Sequence, residues 1–215
     1  MTTAGIILAG GRSTRMGTSK ALLEWHGSTL LGHTAAIVAR SVDGPVIVVR
    51  SPGQQLPALP DAIAVVDDTH PGAGPLAALI TGLEHLGNRA DRALVCGVDT
   101  PFLTPAFVAV LVTALTEDLD MVLPAAQGRR HPLPAVVRGG VLPMAHILVG
   151  DGHRALFALV DRCRTRDVAE SALRAADPLL GSLRNLNERE AYEAARAEPL
   201  PAIGSSGEAR DKILT

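Results

Sequence analysis

Near its start the chain reads Ile6-Ile7-Leu8-Ala9-Gly10-Gly11-Arg12-Ser13-Thr14-Arg15-Met16-Gly17, with Lys20 three residues further on. The apolar residues 6–8 are typical of a buried strand, and the two glycines after them let backbone N–H groups approach an anion closely. Arg15 offers a planar fork for phosphate oxygens, and Lys20 adds a compact positive charge. The stretch therefore predicts a phosphate-binding loop at the carboxyl end of a first strand, where open α/β sheets bind their ligands.

The spacing of this loop excludes the two best-known phosphate loops. Lys20 follows the second glycine by nine residues, which does not match a Walker A pattern, and no G-x-G-x-x-G is present. The missing dinucleotide fingerprint also argues against an NAD-dependent dehydrogenase. An ordinary strand-to-helix turn with solvated Arg and Lys explains the glycine pair equally well.

Composition narrows the class of protein. The 215 residues are 47% hydrophobic and 20% charged, with a formal net charge of −2. This composition argues against a disordered or membrane-embedded chain and leaves no basic surplus for binding nucleic acid. The N-terminus lacks the pattern of a secretory leader, and no apolar run reaches the roughly 18 residues that span a bilayer. We therefore expect a cytoplasmic protein with neither a nucleic-acid nor a membrane partner.

Strand-like and helix-like patterns alternate along the chain, which predicts an α/β fold with a mainly parallel central sheet. The strand runs are apolar throughout, as in sheets covered by helices on both faces, so we expect a three-layer, Rossmann-like arrangement in one domain over 1–198. Pro, Gly and Ser with scattered charges predict a frayed tail over 199–215. The predicted strands are 5–8, 46–49, 62–66, 93–96, 121–123 and 135–137, and the predicted helices are 30–40, 75–86, 105–115, 140–149 and 154–160.

Two helix starts carry capping signals. Thr104 followed by Pro105 predicts the start of the third helix. The sequence Asn187-Glu188-Arg189-Glu190 predicts a cap for a last helix through its first and fourth residues.

A second glycine cluster, Pro71-Gly72-Ala73-Gly74-Pro75, opens the helix that follows the strand ending at Asp67 and Asp68. A helix N-terminus attracts anions, although simple turn chemistry accounts for these glycines as well. The two carboxylates could accept hydrogen bonds from ribose hydroxyls or a base edge, or could be surface caps.

A third element ends the strand Val95-Cys96-Gly97 with Val98-Asp99-Thr100-Pro101. A carboxylate at the end of an apolar strand is a common way to present a hard oxygen ligand to Mg²⁺. Asp99 is therefore a candidate metal ligand, the alternative being a plain turn before the Thr104 helix.

The other reactive side chains have no predicted catalytic role. Cys96 and Cys163 stand singly without metal-site spacing, which predicts buried, reduced thiols. For most of the histidines, including His26, His33, His85 and His146, we expect surface or helix-face positions.

Together these motifs identify a family resemblance. The set Leu8-Ala9-Gly10-Gly11-x-Ser13-x-Arg15-Met16-Gly17-x-x-Lys20, Gly74-Pro75-Leu76-Ala77, Asp99-Thr100-Pro101 and Asn185-Leu186-Asn187 resembles the molybdenum cofactor guanylyltransferases, the MobA proteins. These belong to the nucleotidyltransferases with a Rossmann-like fold. The resemblance covers residues 4–196, and the Asn-x-Asn near the C-terminus is what points to this branch.

The resemblance implies an Mg²⁺-dependent enzyme that transfers GMP from GTP to the phosphate of molybdopterin, giving molybdopterin guanine dinucleotide and pyrophosphate. It also implies apo-molybdoenzymes or other proteins of the cofactor pathway as partners. By position, Lys20, Arg15 and Asp99 are the implied catalytic residues, with Asp99 on the metal. The implied nucleotide contacts are Leu8, Ala9, Gly10, Gly11, Arg15, Lys20, Arg50, Asp67, Gly74 and Asp99.

Four further residues resemble the part of the family's site that receives the acceptor. Asn185 and Asn187 match asparagines that line the site near the metal. His131 matches a His-Pro step near the expected pterin position, and the adjacent Arg130 could meet the pterin phosphate. A solvated basic loop is the alternative for residues 128–132.

The chain departs from the family pattern at two positions, with Ser19 where many members have an acidic residue and Arg50 where many have Asn. Cytidylyltransferases of the same pathway typically carry Ala-Ala-Gly where this chain has Ala9-Gly10-Gly11, which favours guanine. Three alternatives stay open: a cytidylyltransferase, a transferase acting on another small phosphorylated acceptor, and a non-catalytic nucleotide- or cofactor-binding protein.

Overall fold

A computed structural model describes residues 1–10 and 19–199 of the chain. The predicted loop residues Gly11 and Arg15, and the predicted tail beyond Pro199, lie outside this part. Its strands are β1 (Thr3–Leu8), β2 (Glu24–Trp25), β3 (Ser28–Thr29), β4 (Val46–Arg50), β5 (Ile63–Asp67), β6 (Arg92–Gly97), β7 (Met121–Ala126), β8 (Arg129–Arg130), β9 (Ala135–Arg138) and β10 (Thr165–Ala169). Its α-helices are α1 (Leu30–Ser41), α2 (Pro75–Leu86), α3 (Pro105–Ala114), α4 (Leu142–Gly150), α5 (Phe157–Val160), α6 (Glu170–Ala176) and α7 (Arg189–Arg196).

Eight of these strands form one sheet in the order β10-β7-β9-β6-β1-β4-β5, with β8 paired to β7. β6, β1, β4 and β5 are mutually parallel, and β7 pairs in parallel with β10. β9 runs antiparallel to both of its neighbours, β6 and β7, so β6 and β7 point in the same direction. The carboxyl ends of the parallel strands therefore meet at one edge of the sheet.

Helices cover both faces of the sheet because the side chains of a strand alternate between them. Ile7 of β1 packs in one apolar cluster with residues of α1, α3 and α6. Its neighbours Ile6 and Leu8 pack in a second cluster with residues of α2, α4 and α5. All six residues of β1 are buried, as expected for a central parallel strand. The predicted three-layer α/β architecture with a mainly parallel sheet is confirmed.

A smaller third cluster holds the C-terminal segment against the β2–β3 hairpin. Trp25 is fully buried there with Phe102, Leu186 and Tyr192. The Tyr192 hydroxyl donates to the backbone carbonyl of Glu24, which fastens α7 to the hairpin. The segment that precedes α7, residues 185–187, is thereby brought close to the turn after β6.

The predicted strands and the first three helices are confirmed, with ends shifted by at most three residues and no shift for α2. The predicted helix over 140–149 is a 3-10 turn, Gly139–Val141, continued by α4, and the one over 154–160 is reduced to α5. The Thr104 cap is confirmed, since its hydroxyl accepts from the N–H of Phe107 at 3.2 Å. None of the helices in residues 1–10 and 19–199 has the length and apolar character that crossing a membrane would require.

The predicted cap through Asn187 is wrong. Glu188 holds the N-cap position of α7, and the amide oxygen of Asn187 accepts instead from the ammonium of Lys20, 2.8 Å away. A long-range contact to a charged donor thus replaces the local cap that the spacing suggested.

Candidate functional site

The sheet places four strand ends side by side at its carboxyl edge, namely those of β1, β4, β5 and β6. Arg50 at the end of β4 is the register partner of Asp67 at the end of β5, and Leu8 at the end of β1 is the register partner of Gly97 at the end of β6. Polar residues at and just beyond these ends line the candidate site. This arrangement follows directly from parallel pairing, which aligns the carboxyl ends of strands far apart in sequence.

Lys20, Asp99 and Asn187 converge at this edge. The Lys20 ammonium donates to Asp99 Oδ2 at 2.9 Å and to Asn187 Oδ1 at 2.8 Å. The Lys20 and Asp99 side chains are 16% and 21% exposed, so solvent screens their ion pair less than it screens one on the open surface. The Lys20 ammonium thus joins Asp99 and Asn187, and all three are residues predicted from sequence to lie in the site.

The turn that carries Asp99 is joined to the C-terminal segment. The N–H of Leu186 donates to the carbonyl of Asp99 at 3.0 Å, while the Leu186 side chain is buried in the third cluster. Asn185 and Asn187 flank Leu186 and are both exposed. Leu186 therefore holds the Asn-x-Asn segment beside the carboxylate.

Asp99 has the setting of a divalent-cation ligand. Its carboxylate folds over Gly97, where a Cβ would overlap Asp99 Oδ1. Carboxylate and amide oxygens, as supplied by Asp99 and Asn187, suit Mg²⁺. In the described ranges no three or more His, Cys, Asp or Glu side chains group to hold a metal ion, so an ion here would need nucleotide phosphates and water as further ligands. The residues present fit that mode of binding.

Arg50 and Asp67 form an ion pair at the ends of β4 and β5. The Arg50 Nε atom lies 2.7 Å from Asp67 Oδ1, and Nη1 donates to the carbonyl of Gln54 at 3.3 Å. The pair is partly open to solvent, with side chains 33% and 52% exposed. It presents a cation and a carboxylate side by side next to β1.

Gln54 was not singled out in the sequence. Its amide donates to the carbonyl of Ala9 at 2.9 Å and to Ser19 Oγ at 3.1 Å, and its oxygen accepts from the N–H of Ser51 at 3.0 Å. It thereby connects the end of β1 with the segments after β4 and before Lys20. No local motif marks this residue, since its contacts to Ala9 and Ser19 join segments far apart in sequence.

At Ala9 and Gly10 the backbone N–H groups of the first loop do not point at an anion site, in contrast to the prediction from sequence. The N–H groups of Ala9 and Gly10 both donate to the carbonyl of Val49, at 2.8 and 3.2 Å. Pairing with β4 continues past the end of β1, so these two N–H groups are not directed at an anion. Gly10 also lies against Ser51, whose N atom is 3.3 Å from where a Cβ of Gly10 would stand.

Gly74 starts α2 in a conformation that favours glycine, with φ of +91°. A Cβ there would lie 2.7 Å from the carbonyl oxygen of Arg154, and that oxygen accepts from the N–H of Leu76 at 3.1 Å. The chain near Arg154 thus covers part of the helix start and occupies one of the N–H groups predicted to attract an anion.

Arg130 and His131 make their contacts elsewhere, around β7 and β10. Arg130 pairs with Asp167 Oδ2 at 2.9 Å and is 45% exposed. His131 is buried, and its Nε2 donates to the carbonyl of Ala126 at 3.2 Å. Burial lowers the pKa of His131, which favours the neutral ring. The imidazole therefore braces the β7–β8 turn, while the guanidinium lies at the surface.

The cysteines supply no nucleophile to this edge. Burial raises the pKa of the Cys96 thiol in β6 to about 12, which keeps it protonated near neutral pH. Cys163 is only partly buried, which corrects the prediction of full burial, and its pKa is also raised by burial. The arrangement is thus suited to holding and neutralising anions rather than to covalent catalysis.

Comparison with known proteins agrees with this geometry. The family model of the MobA-like NTP transferase domain matches residues 5–175. A probable molybdenum cofactor guanylyltransferase of Mycobacterium tuberculosis is 43% identical over 162 residues, covering 74% of this chain and 79% of that protein. A protein of the same description from Bacillus cereus is 29% identical over 202 residues, covering 91% and 96%.

A solved structure shares the fold. The molybdopterin-guanine dinucleotide biosynthesis protein A of Archaeoglobus fulgidus superimposes with a TM-score of 0.74 at 19% identity, covering 90% of this chain and 96% of that one. The family model spans most of the sheet and its helices, including the turn with Asp99. The chain belongs to the MobA-like NTP transferase family.

Proposed function

We propose that this protein transfers GMP from GTP to the phosphate of molybdopterin, giving molybdopterin guanine dinucleotide and pyrophosphate in an Mg²⁺-dependent reaction. The observation that carries the proposal is the Lys20 ammonium held between Asp99 and Asn187 at the carboxyl edge of the parallel strands. The descriptions of the M. tuberculosis and B. cereus relatives support guanylyl transfer to the molybdenum cofactor.

The proposed step is a substitution at phosphorus. An oxygen of the molybdopterin phosphate forms a bond to the α-phosphorus of GTP, and the bond from that phosphorus to the bridging oxygen of the β-phosphate breaks. The electron pair leaves with pyrophosphate. The attacking phosphate is already largely ionised near pH 7, so no general base is required. Positioning two anions and neutralising the leaving group are the main demands.

Lys20 and Asp99 meet these demands in complementary ways. The Lys20 ammonium is held by two oxygen partners and, with Arg15 from the first loop, would bind triphosphate oxygens. Asp99, with Asn187 and Asn185 nearby, would hold the metal ion. When bound there, Mg²⁺ would supply positive charge to the phosphate oxygens and order them for in-line attack.

The nucleoside would lie toward β4 and β5. Asp67 accepts and Arg50 donates, so the pair offers both kinds of partner to a guanine edge or a ribose. Gly10 lies against Ser51, the residue after Arg50, where a side chain at position 10 would contact the backbone. Leu8, Ala9 and Gly11 would line the other side of the nucleoside, together with Gly74 at the start of α2.

The acceptor would approach from the side of β7 and β8. Arg130 is exposed enough to meet a phosphate, although it would exchange part of its pairing with Asp167 to do so. His131 would act by fixing the turn that carries Arg130, since its Nε2 is committed to the carbonyl of Ala126.

The test is a pyrophosphate-release assay with purified protein, Mg²⁺, molybdopterin and either GTP or CTP. We expect pyrophosphate and molybdopterin guanine dinucleotide in equal amounts from GTP, and turnover with CTP lower by about tenfold or more, which corresponds to about 1.4 kcal/mol of discrimination. Equal or faster turnover with CTP would reject the guanine assignment. If the protein binds GTP but releases no pyrophosphate with any phosphorylated acceptor, the result would favour the non-catalytic alternative.

A further inference from the structure

The turn that carries Asp99 is held by a hydrogen bond at every carbonyl. Five successive carbonyl oxygens, from Gly97 to Pro101, each accept from a donor. The donors are Thr100 Oγ1 on Gly97 at 2.9 Å, Thr34 Oγ1 on Val98 at 3.3 Å, Leu186 N on Asp99 at 3.0 Å, Leu103 N on Thr100 at 3.2 Å and His33 Nε2 on Pro101 at 2.9 Å.

Two of these donors are consecutive residues of α1. Thr34 is fully buried and His33 is half-buried, and together they reach carbonyls on either side of Asp99. α1 is itself fixed at its start, where Thr29 Oγ1 accepts from the N–H of Gly32 at 3.1 Å. Helix α1 therefore holds the turn through two side-chain hydrogen bonds.

The direction of the His33 bond follows from its partner. A carbonyl oxygen only accepts, so the proton lies on His33 Nε2. Burial lowers the pKa of His33, which keeps the ring neutral near pH 7 with Nδ1 unprotonated. The ring thus acts as a single fixed donor to Pro101, in the manner of a side-chain amide.

We propose that His33 and Thr34 are positioning residues that set the backbone of the 97–101 turn and thereby aim the Asp99 carboxylate. The inference rests on the proposed function, in which Asp99 holds the metal ion of the metal–nucleotide complex. The carboxylate has little freedom, because it lies over Gly97 on one side and contacts Lys20 on the other. A displacement of about 1 Å in such a group costs on the order of 100-fold in rate.

A purely structural role for His33 is the rival explanation, since its ring also packs 6.1 Å from that of Trp25. His33→Gln and His33→Leu separate the two. The Gln Nε2 atom stands the same number of bonds from Cα as the His Nε2 atom and can donate to Pro101, whereas Leu packs but cannot donate. Thr34→Ser and Thr34→Val form a second pair, which keeps or removes the hydroxyl on Val98.

The readout is binding of Mn²⁺ to the full chain in the presence of saturating GTP and without acceptor, measured by equilibrium dialysis with the same GTP concentration on both sides, because GTP in solution also binds Mn²⁺. Melting temperature is measured in parallel. We expect His33→Leu and Thr34→Val to weaken Mn²⁺ binding about tenfold or more, and His33→Gln and Thr34→Ser to stay within about threefold of the parent protein. His85→Leu, on the exposed side of α2, is the matched control and should not change binding.

The outcomes distinguish this proposal from the one on which it rests. If the parent protein binds Mn²⁺ with GTP and both members of each pair behave alike, the positioning role is wrong. The positioning role is equally wrong if Mn²⁺ affinity merely tracks the melting temperature across all four variants. If the parent protein binds no Mn²⁺ with GTP, the metal role of Asp99 is itself wrong and the positioning role falls with it.

Discussion

Replacing Lys20 by Met should affect catalysis and metal binding in opposite directions. The substitution removes the ammonium that contacts Asp99 Oδ2 and Asn187 Oδ1 but keeps most of the aliphatic stem. In the proposed reaction it deletes a cation from the departing pyrophosphate. In the free protein it releases two oxygen ligands and removes a positive charge that repels a metal ion.

The expected sizes follow from the geometry. Loss of one preorganised group that stabilises transition-state charge costs about 2.7–4 kcal/mol, or about 100-fold to 1000-fold in kcat. A hydrogen bond to a charged group in a partly buried pair stabilises a fold by about 1.5–3 kcal/mol. In a chain of this size, each kcal/mol of lost stability lowers the melting temperature by about 2–4 °C. Affinity of the nucleotide-free protein for Mn²⁺ should rise, because Asp99 and Asn187 no longer share an ammonium.

Three measurements on one protein preparation test this. Pyrophosphate release gives kcat, electron paramagnetic resonance gives Mn²⁺ affinity without nucleotide, and calorimetry gives the melting temperature. Arg174→Met is the control, since it removes a surface ion pair with Glu170 at 2.7 Å and should leave kcat and Mn²⁺ binding unchanged. A Lys20→Met protein that keeps kcat within a few-fold of the parent would refute the assigned role of Lys20.

Three further predictions follow from other contacts. Arg50→Met should raise the KM for GTP about tenfold and leave kcat within about twofold, as for loss of uniform binding; steady-state kinetics showing an unchanged KM with reduced kcat would contradict this. Gly97→Ala should force the Asp99 carboxylate aside and lower kcat at least about tenfold in the pyrophosphate assay. Gly139→Ala, where a Cβ meets open space, is its control, and equal activity of the two variants would count against the placement of Asp99. Because burial lowers the pKa of His33 and His131, the unfolded chain binds more protons below about pH 6.5, so the free energy of unfolding should fall as pH drops from about 6.5 through their folded-state pKa values. Urea titrations at several pH values measure this, and a flat profile in that range would be inconsistent with the buried neutral rings.

Most of the fold was predictable because its signals are local. Continuous apolar runs mark strands such as β1 and β4, and Thr104-Pro105 marks the start of α3. The strands and helix that were missed lack those signals. β10 is a largely exposed edge strand with the sequence TRDVA. The strands β2, β3 and β8 have only two residues each, and α6 has only seven residues.

The site was predictable where a motif stood at a strand end and unpredictable where it depended on long-range pairing. Lys20, Asp99 and Asn187 were identified from sequence, but their mutual contact was not. Gln54 and His33 carried no motif, since their partners belong to other segments. The single domain over 1–198, the cytoplasmic location, delivery to apo-molybdoenzymes, and the roles of Gly11 and Arg15 stay predictions.

In the proposed function, the Lys20–Asp99–Asn187 cluster binds a metal–GTP complex and positions it for the transfer of GMP to molybdopterin. The most direct measurement is mass-spectrometric detection of product from purified protein, GTP, Mg²⁺ and molybdopterin, with pyrophosphate quantified in the same samples. We predict molybdopterin guanine dinucleotide in a one-to-one ratio with pyrophosphate, and a rate reduced at least about 100-fold by Asp99→Ala. Absence of the dinucleotide, or an Asp99→Ala rate equal to that of the parent protein, would contradict the claim.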